Sequence, residues 1–568
     1  MSQRLLECVP NISEGRDMDK IRAIADVVET IEGVKLLDID PGKTTNRTVI
    51  TFVGEPEAVC EAAFLLIRKA AETIDMRRHK GEHPRMGATD VCPLVPISGI
   101  SMEEAAEMAR QLGKRVGAEL GIPGYFYESA ATRPERKNLA HCRSGEYEGL
   151  EKLSKEGWEP DFGPAYFSES VKRTGAMAIG ARDFLVAYNV NLNTTSTRRA
   201  NAIAFDIREA GRTLREGDSL TGKPVLSEDG EPLRVPGTLR AVKGIGWYIE
   251  EYGIAQLSLN LTNIGVTPVH VAFEEAVVKA AERGVRVTGS EIVGLIPKRV
   301  LLEAADFYLR RQQRSLGIPE AEKIKIAVRS LGLNDLQPFD ASEKVIEYKL
   351  AKLEGSVSLL RDKTLRDFVY ETASESPAPG GGSVSALCGA LGASLATMVA
   401  NLSAHKRGWD ERWEEFSGWA VKGMEYASEL LEMVDKDTDA FNTIMEAFGL
   451  PKDSDEDKKA RKEAIARATK VAIEIPMKVA ELSLASMEVM RVMALEGNPN
   501  SITDAGVGAL CARTAVIGAC MNARVNAKDY EDKAFSEGVL QACSKLESEA
   551  ESRELEIRNI VALNLSPK

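Results

Sequence analysis

The 568-residue chain is short of several things, and each shortage removes a class of protein. Its eight cysteines (Cys8, Cys60, Cys92, Cys142, Cys388, Cys511, Cys520 and Cys543) stand singly, without a CxxC pair. That excludes a disulfide framework and suits reduced core residues in a cytoplasmic protein. A basic excess is also missing: the net charge of −13 and pI near 5.3 argue against a nucleic-acid binder, while leaving room for a local basic pocket that holds an acidic small molecule. Residues 1–17 carry neither an apolar core segment nor a cleavage-site pattern, so no signal peptide is expected. From Ser376 to Ala404 there is no Asp, Glu, Lys or Arg, but the segment opens with Pro377, Pro379 and three glycines and is mostly Ala, Gly and Ser. A buried, tightly packed helix explains it better than a membrane span.

Histidine is scarce too, and two of the five fall together in RHKGEHPRMGATD, Arg78 to Asp90. His79 and His83 stand there beside Glu82, Arg85 and Asp90, where Gly81, Pro84 and Gly87 oppose a helix. The spacing His79-Lys80-Gly81-Glu82-His83 fits an H-x-x-E-H zinc site, which needs a helix to bring both imidazoles to one face, so Gly81 and Pro84 argue against metal. A polar turn with satisfied histidines and a general acid–base site on a loop both remain open.

At this length, with 44% hydrophobic residues, two to four domains are expected. The first half alternates element types. Leu5 to Val9 reads as a strand, Met18 to Ile31 as a helix, Val34 to Ile39 and Thr48 to Val53 as strands, Pro56 to Ile74 as a helix, Val91 to Ile97 as a strand and Met102 to Leu120 as a helix. A second pass begins near Ala181, with strands at Phe184 to Asn191, Leu239 to Ile249, Ala255 to Leu261 and Val285 to Ile296, and helices at Thr197 to Arg212, Pro268 to Arg283 and from Arg299. The expected architecture is multidomain: an α/β (α+β) half made of two ferredoxin-like split β-α-β subdomains (1–180 and 181–325), duplicated and open-faced enough to form a groove, then a connection over 326–360. Residues 361–568 read as an all-α helical bundle, with long periodic stretches at Gly382 to Ser403, Trp413 to Phe448, Ala460 to Leu495 and Asp504 to Asn526 and a last helix from about Phe535. KDSDEDKK at Lys452 to Lys459 reads as a solvated loop.

Two stretches of the helical half carry candidate chemistry. SPAPGGGS puts Gly380, Gly381, Gly382 and Ser383 at a helix start, where free N–H groups bind an anion or carboxylate, or simply allow packing; with no GK[ST] following, it is not a nucleotide P-loop. In MVDKDTDAF, Asp435, Asp437 and Asp439 cannot share one helix face. Either at least one acid faces the bundle interior or a partner helix, with a raised pKa, or all lie on a polar stripe.

ECVPNISEG at Glu7 to Gly15, LLDIDPGKTTNRTVITFVG at Leu36 to Gly54, KGEHPRMGATDVCPLVP at Lys80 to Pro96, the strand end Gly294 to Pro297, PAPGGGS and VDKDTDAF together resemble the formiminotransferase-cyclodeaminase family over nearly the whole chain. The resemblance implies a bifunctional folate enzyme. Its first half would pass the formimino group of N-formimino-L-glutamate to nitrogen-5 of tetrahydrofolate, releasing glutamate. Its helical half would close 5,10-methenyltetrahydrofolate and release ammonia. By the same resemblance His83 is the catalytic histidine, Asp40 the assisting carboxylate and Asp437 the carboxylate of the second site. The family's folate-contacting loop corresponds to Gly163 to Gly175, which brings in Gly163, Pro164 and Gly175. Arg85, Arg47 and Lys43 suit substrate carboxylates by residue type. Tetrahydrofolate, in its polyglutamylated form among others, is then the co-substrate, no metal is called for, and a homo-oligomer paired through the helical domains is implied. The alternatives are a formiminotransferase whose helical half only oligomerises, a non-catalytic folate-binding protein and, more distantly, a zinc peptidase.

Overall fold

The computed structural model describes residues 4–42, 46–81, 85–217, 222–353, 359–376, 378–528 and 530–565. The chain divides into two compact units, one of residues 1–300 with 331–355 and one of residues 301–330 with 356–568.

The first unit holds two sheets of the same topology. In the first, Leu5–Cys8 lies between Arg47–Gly54 and Thr89–Ser98, and Val34–Gly42 pairs outside Arg47–Gly54, all antiparallel. In the second, Val186–Leu192 lies between Ile254–Leu261 and Val287–Val293, with Val242–Ile249 outside Ile254–Leu261. Numbered in chain order, both cores run 4-1-3-2, the ferredoxin-like arrangement of a β-α-β-β-α-β chain. The first sheet adds two parallel strands beyond Thr89–Ser98, namely Met177–Ala181 and then Gly124–Glu128. The periodicity pass missed both, because Gly-Tyr-Phe-Tyr-Glu and Met-Ala-Ile-Gly-Ala are five-residue runs without alternation, buried on both faces.

Alternation divides the first sheet cleanly. Leu6, Cys8, Ile50, Phe52 and Leu94 pack into one core with the helices Pro56–Thr73 and Met102–Leu120, and each fully buried large side chain contributes roughly 1.5–3 kcal/mol. The latter helix starts on a capping box, Ser101 with Glu104, and ends at Gly121. The other face carries the polar alternates Glu7, Asn11, Asp40 and Arg47, together with Val91.

Two further stretches differ from expectation, and the acidic run of the second unit is another. The supposed extended connection contains the helices Glu320–Ser330, Ala341–Lys344 and Ile346–Leu353. Its Val345 and Ile346 are fully buried, and Ile346 N–H donates to the Ile296 carbonyl at 3.0 Å. Short apolar clusters among charges, each too brief to show a period, hid these contacts. The helix Thr197–Ile207 stops five residues early, because the chain turns at Arg208 into the two-residue strand Arg212–Thr213.

In the second unit five long helices, Gly381–Ala404, Trp413–Gly449, Asp455–Glu496, Ile502–Ala527 and Lys533–Leu565, share one core. Gly381–Ala404 and the stretch Pro499–Ala527 are apolar and long enough to cross a membrane, yet 61% and 44% of their most apolar windows are buried inside the unit. Their Ala and Gly residues permit close helix approach. The acidic run expected as a loop instead opens a helix: Ser454 accepts from Asp457 N–H at 3.0 Å and Asp457 returns to Ser454 N–H at 3.0 Å. Acids in the first turn also favour the helix dipole.

Candidate functional site

A cleft of about 730 Å³ opens on the polar face of the first sheet. Asn11, Arg47, Val91 and Tyr127 line it from that sheet, and Lys243 and Asn263 from the second subdomain. Its centre is a charge cluster. Asp90, whose side chain is 1% exposed, receives Arg47 at 2.6 Å and also Arg143 on the same oxygen, while its other oxygen accepts Met86 N–H at 2.9 Å. Arg47 donates further to Asn11 at 3.0 Å, and burial lowers its pKa, with Asp90 opposing. Arg143 Nε is buried without a hydrogen-bond partner among the described residues. Two guanidiniums on one carboxylate leave a local excess of positive charge at this cluster, which suits a carboxylate-bearing substrate, while Glu128, Glu146 and Asp183 line the cleft elsewhere.

Two non-glycine residues with left-handed backbone border the same cleft, Glu128 (φ 51°) and Glu146 (φ 52°). Such conformations cost about 1–3 kcal/mol and gather at functional sites. Burial raises the Glu128 carboxyl, with Arg182 pulling the other way.

The residues expected from sequence divide. Arg47 lines the cleft. Asp40 pairs with Val49 in the sheet and Arg47 with Gly42, so Asp40 is exposed on the face that carries Arg47, one diagonal step away. Arg85 meets Glu148 with its two terminal nitrogens at 2.8 and 2.7 Å and the cleft-bordering Glu146 at 3.3 Å. His79 is held between the Asn46 carbonyl (2.8 Å) and Arg85 (3.4 Å), and burial lowers its pKa. His83, with Glu82 and Pro84, and also Lys43, lie outside the described residues. Gly175 backs the loop from behind: a Cβ there would stand 2.2 Å from the Met86 carbonyl and 2.4 Å from Gly87 Cα. Gly163 lies at a different place, against Ile122 and Gly117, with Pro164 following it. Asp90, Asn11, Arg143, Glu128 and Lys243 were not singled out as site residues. Asp90 could have been, from its position in the histidine motif; Arg143 lies 53 residues beyond it, and no local pattern links them.

In the helical half the two candidate stretches meet. Ser383, fully buried in the first turn of Gly381–Ala404, donates to Asp437 at 2.9 Å and lies 3.3 Å from Thr438 Oγ1. A Cβ on Gly382 would stand 2.1 Å from Asp437 Oδ1, so only glycine lets the carboxylate reach the helix start. Gly380 is the N-cap, and Gly381 faces Asn522, whose side-chain nitrogen would be 3.3 Å from an added Cβ. Burial raises the Asp437 pKa, and the Ser383 hydroxyl and N–H oppose it. Asp435 is also inward, accepting Leu360 N–H at 2.6 Å, whereas Asp439 is exposed. The anion at the glycine-rich helix start is thus the chain's own carboxylate.

Both halves match known proteins. Residues 5–182 match the formiminotransferase domain, N-terminal subdomain; residues 187–351 match the formiminotransferase domain; and residues 364–545 match formiminotransferase-cyclodeaminase. The chain is 42% identical to the formimidoyltransferase-cyclodeaminase of Mus musculus, over 97% of this chain and 98% of that protein. It is 44% identical to a glutamate formimidoyltransferase of Thermoplasma acidophilum over 54% of this chain and 92% of that one. A methenyltetrahydrofolate cyclohydrolase of Methylorubrum extorquens is 36% identical over 33% of this chain and 91% of its own length.

Proposed function

The chain belongs to the formiminotransferase-cyclodeaminase family, and from that premise we propose how its two sites divide the work of a bifunctional folate enzyme. In the first step nitrogen-5 of tetrahydrofolate attacks the formimino carbon of N-formimino-L-glutamate. The tetrahedral adduct then breaks its bond to the glutamate nitrogen. His83 takes the nitrogen-5 proton and returns one to the departing amine, work suited to an imidazole near neutral pH. Asp40 stabilises the cationic amidine, while Arg47 and Arg143, clamped on Asp90, draw the substrate carboxylates into the cleft.

In the second step nitrogen-10 attacks the same carbon within one molecule, so the protein mainly positions it. Asp437 accepts the nitrogen-10 proton and passes it to the amino nitrogen of the adduct formed from the amidinium substrate; the carbon–nitrogen bond to that group then breaks, and ammonia leaves with the 5,10-methenyltetrahydrofolate cation as product. One observation carries a catalytic helical half: the Asp437 carboxylate, raised by burial, seated on the glycine-lined start of Gly381–Ala404. The name of the Methylorubrum protein, which places a relative of this half on methenyltetrahydrofolate, supports it. Tetrahydrofolate with a glutamyl tail is the co-substrate in this reading. The protein works in the cytoplasm on formiminoglutamate from histidine breakdown, as a homo-oligomer paired through the helical halves. An apolar groove along Leu391, Met398, Leu402 and Leu431 supports that pairing, and a single-chain mass in light scattering would remove it.

The test mixes the full chain with tetrahydrofolate and formiminoglutamate and follows glutamate, ammonia and methenyl absorbance together. The native chain is expected to yield all three equally, Asp437→Asn to release glutamate without ammonia, and His83→Ala to release neither. Unchanged ammonia release by Asp437→Asn would reduce the helical half to a scaffold, and full activity of His83→Ala would leave the histidine loop a polar turn.

A further inference from the structure

A second basic site lies on the far side of the second sheet. The helix Thr197–Ile207 packs against Val242–Ile249 on the side of Gly244 and Gly246, where a Cβ on Gly246 would stand 2.2 Å from Asn201 N. Alternation turns Lys243, which lines the cleft, to the opposite face. On the helix side, Arg198, Arg208, Arg212, Arg215 and Arg234 surround a cavity of about 440 Å³ that shares no residue with the cleft.

These guanidiniums are poorly neutralised. Asp206 accepts from Arg212, but it also accepts from Arg283, at 2.5 Å, so one carboxylate serves two arginines. Among the described residues Arg208, Arg215 and Arg234 donate to backbone carbonyls: Arg208 to Gly211 at 2.9 Å and Gly244 at 3.3 Å, Arg215 to Gly222 at 2.7 Å and Arg234 to Ala210 at 3.0 Å. Among the described residues no carboxylate lies within ion-pair distance of Arg198, Arg208, Arg215 or Arg234. Burial lowers the Arg208 pKa, and the nearby charge of Arg234 lowers it further. Such a gathering runs against a net charge of −13. Like charges confined in one cavity repel, and an anion bridging them relieves that repulsion through charge-assisted, bidentate hydrogen bonds.

We infer that this cavity binds a small multivalent anion, carrying two or more phosphates or carboxylates, at a site separate from the cleft. One monovalent anion cannot neutralise five guanidiniums whose one carboxylate partner among the described residues, Asp206, is itself shared with Arg283. The guanidinium fork accepts phosphate and carboxylate alike, so the experiment separates the two chemistries.

Tripolyphosphate and citrate are titrated into the full chain by calorimetry at low and at raised potassium chloride. Saturable binding is expected for at least one of them, weakening with salt, and falling at least tenfold in the double variant R198Q/R234Q. Both of those side chains are exposed, so the fold should survive, and unchanged glutamate release by the variant checks that it has. R215Q, made separately, should weaken binding in the same direction. Binding of tripolyphosphate alone assigns a phosphate site, and binding of citrate alone a polycarboxylate site. No saturable binding overturns the inference. So does binding that R198Q/R234Q leaves intact, or binding that is lost instead in R143Q, which would move it to the cleft.

Discussion

The two sites hold their carboxylates in opposite ways. Asp90 is clamped by Arg47 and Arg143 and by Met86 N–H, so its charge is fully committed to building a wall. Asp437 has no ion-pair partner among the described residues; a serine hydroxyl and a helix N-terminus hold it. A carboxylate paired with cations is structural, whereas one that is partly buried without a cation keeps a raised pKa and can still take up a proton. In the proposed function the first half therefore organises its substrate by charge, and the second by close approach.

The comparison breaks most sharply at Gly382. Alanine there puts a methyl 2.1 Å from Asp437 Oδ1, so the carboxylate must move. Ammonia release should fall by about a hundredfold while glutamate release continues. Normal ammonia release by Gly382→Ala would show that close approach is not what the second site needs.

The matching change in the first half is Asp90→Asn, which leaves two largely buried guanidiniums without their countercharge. Denaturant unfolding should show a loss of about 3 kcal/mol, and transferase turnover should drop at least tenfold. Conversion of added 5-formiminotetrahydrofolate in the helical half should stay as it was. Equal damage to both steps would mean that the halves do not act separately.

Glu7 sharpens the contrast within the first half. It is buried on the polar face of the sheet, and burial lifts its pKa from 4.5 to about 7 against the pull of Arg182. Between those values the native chain retains a proton that the unfolded chain has released, so this group lowers stability as pH rises through the window. The loss totals on the order of 3 kcal/mol. Relative to the native chain, Glu7→Gln should therefore gain stability from pH 4.5 to 7 and level off above. Thermal unfolding of both across that range checks the sign, and parallel curves would refute it.

The smallest effect is a displacement along the pH axis. In the proposed second step Asp437 must be ionised to accept a proton, and because burial raises its pKa, the acid limb of ammonia release is expected above the ordinary Asp value. The Ser383 hydroxyl favours the ionised form, so Ser383→Ala should move that limb to higher pH. A limb that moves down, or not at all, would take Asp437 out of the proton transfer.

Much of this was legible in the chain itself. Hydrophobic periodicity marked both β-α-β-β-α-β passes and the long helices, since burial of one face writes a period of 2 or 3.6 into the residues. Motif resemblance pointed to His83, Asp40 and Asp437. Pairings between distant residues were not legible. Arg143 reaches Asp90 across 53 positions, and Ser383 reaches Asp437 across 54, with nothing local to announce either contact. Spacing alone showed that the three acids of MVDKDTDAF cannot share a face, but not that Asp435 and Asp437 turn inward while Asp439 stays in solvent. Residue type likewise offered Arg85 as a substrate anchor, and only the fold committed it to Glu148. The sequence by itself determined the elements, their order and the chemistry at hand, because these follow from local propensity and periodic burial. Which charge meets which, and whether a carboxylate is clamped or left able to take a proton, was decided by tertiary structure, because ion pairing and desolvation depend on distances that only packing sets.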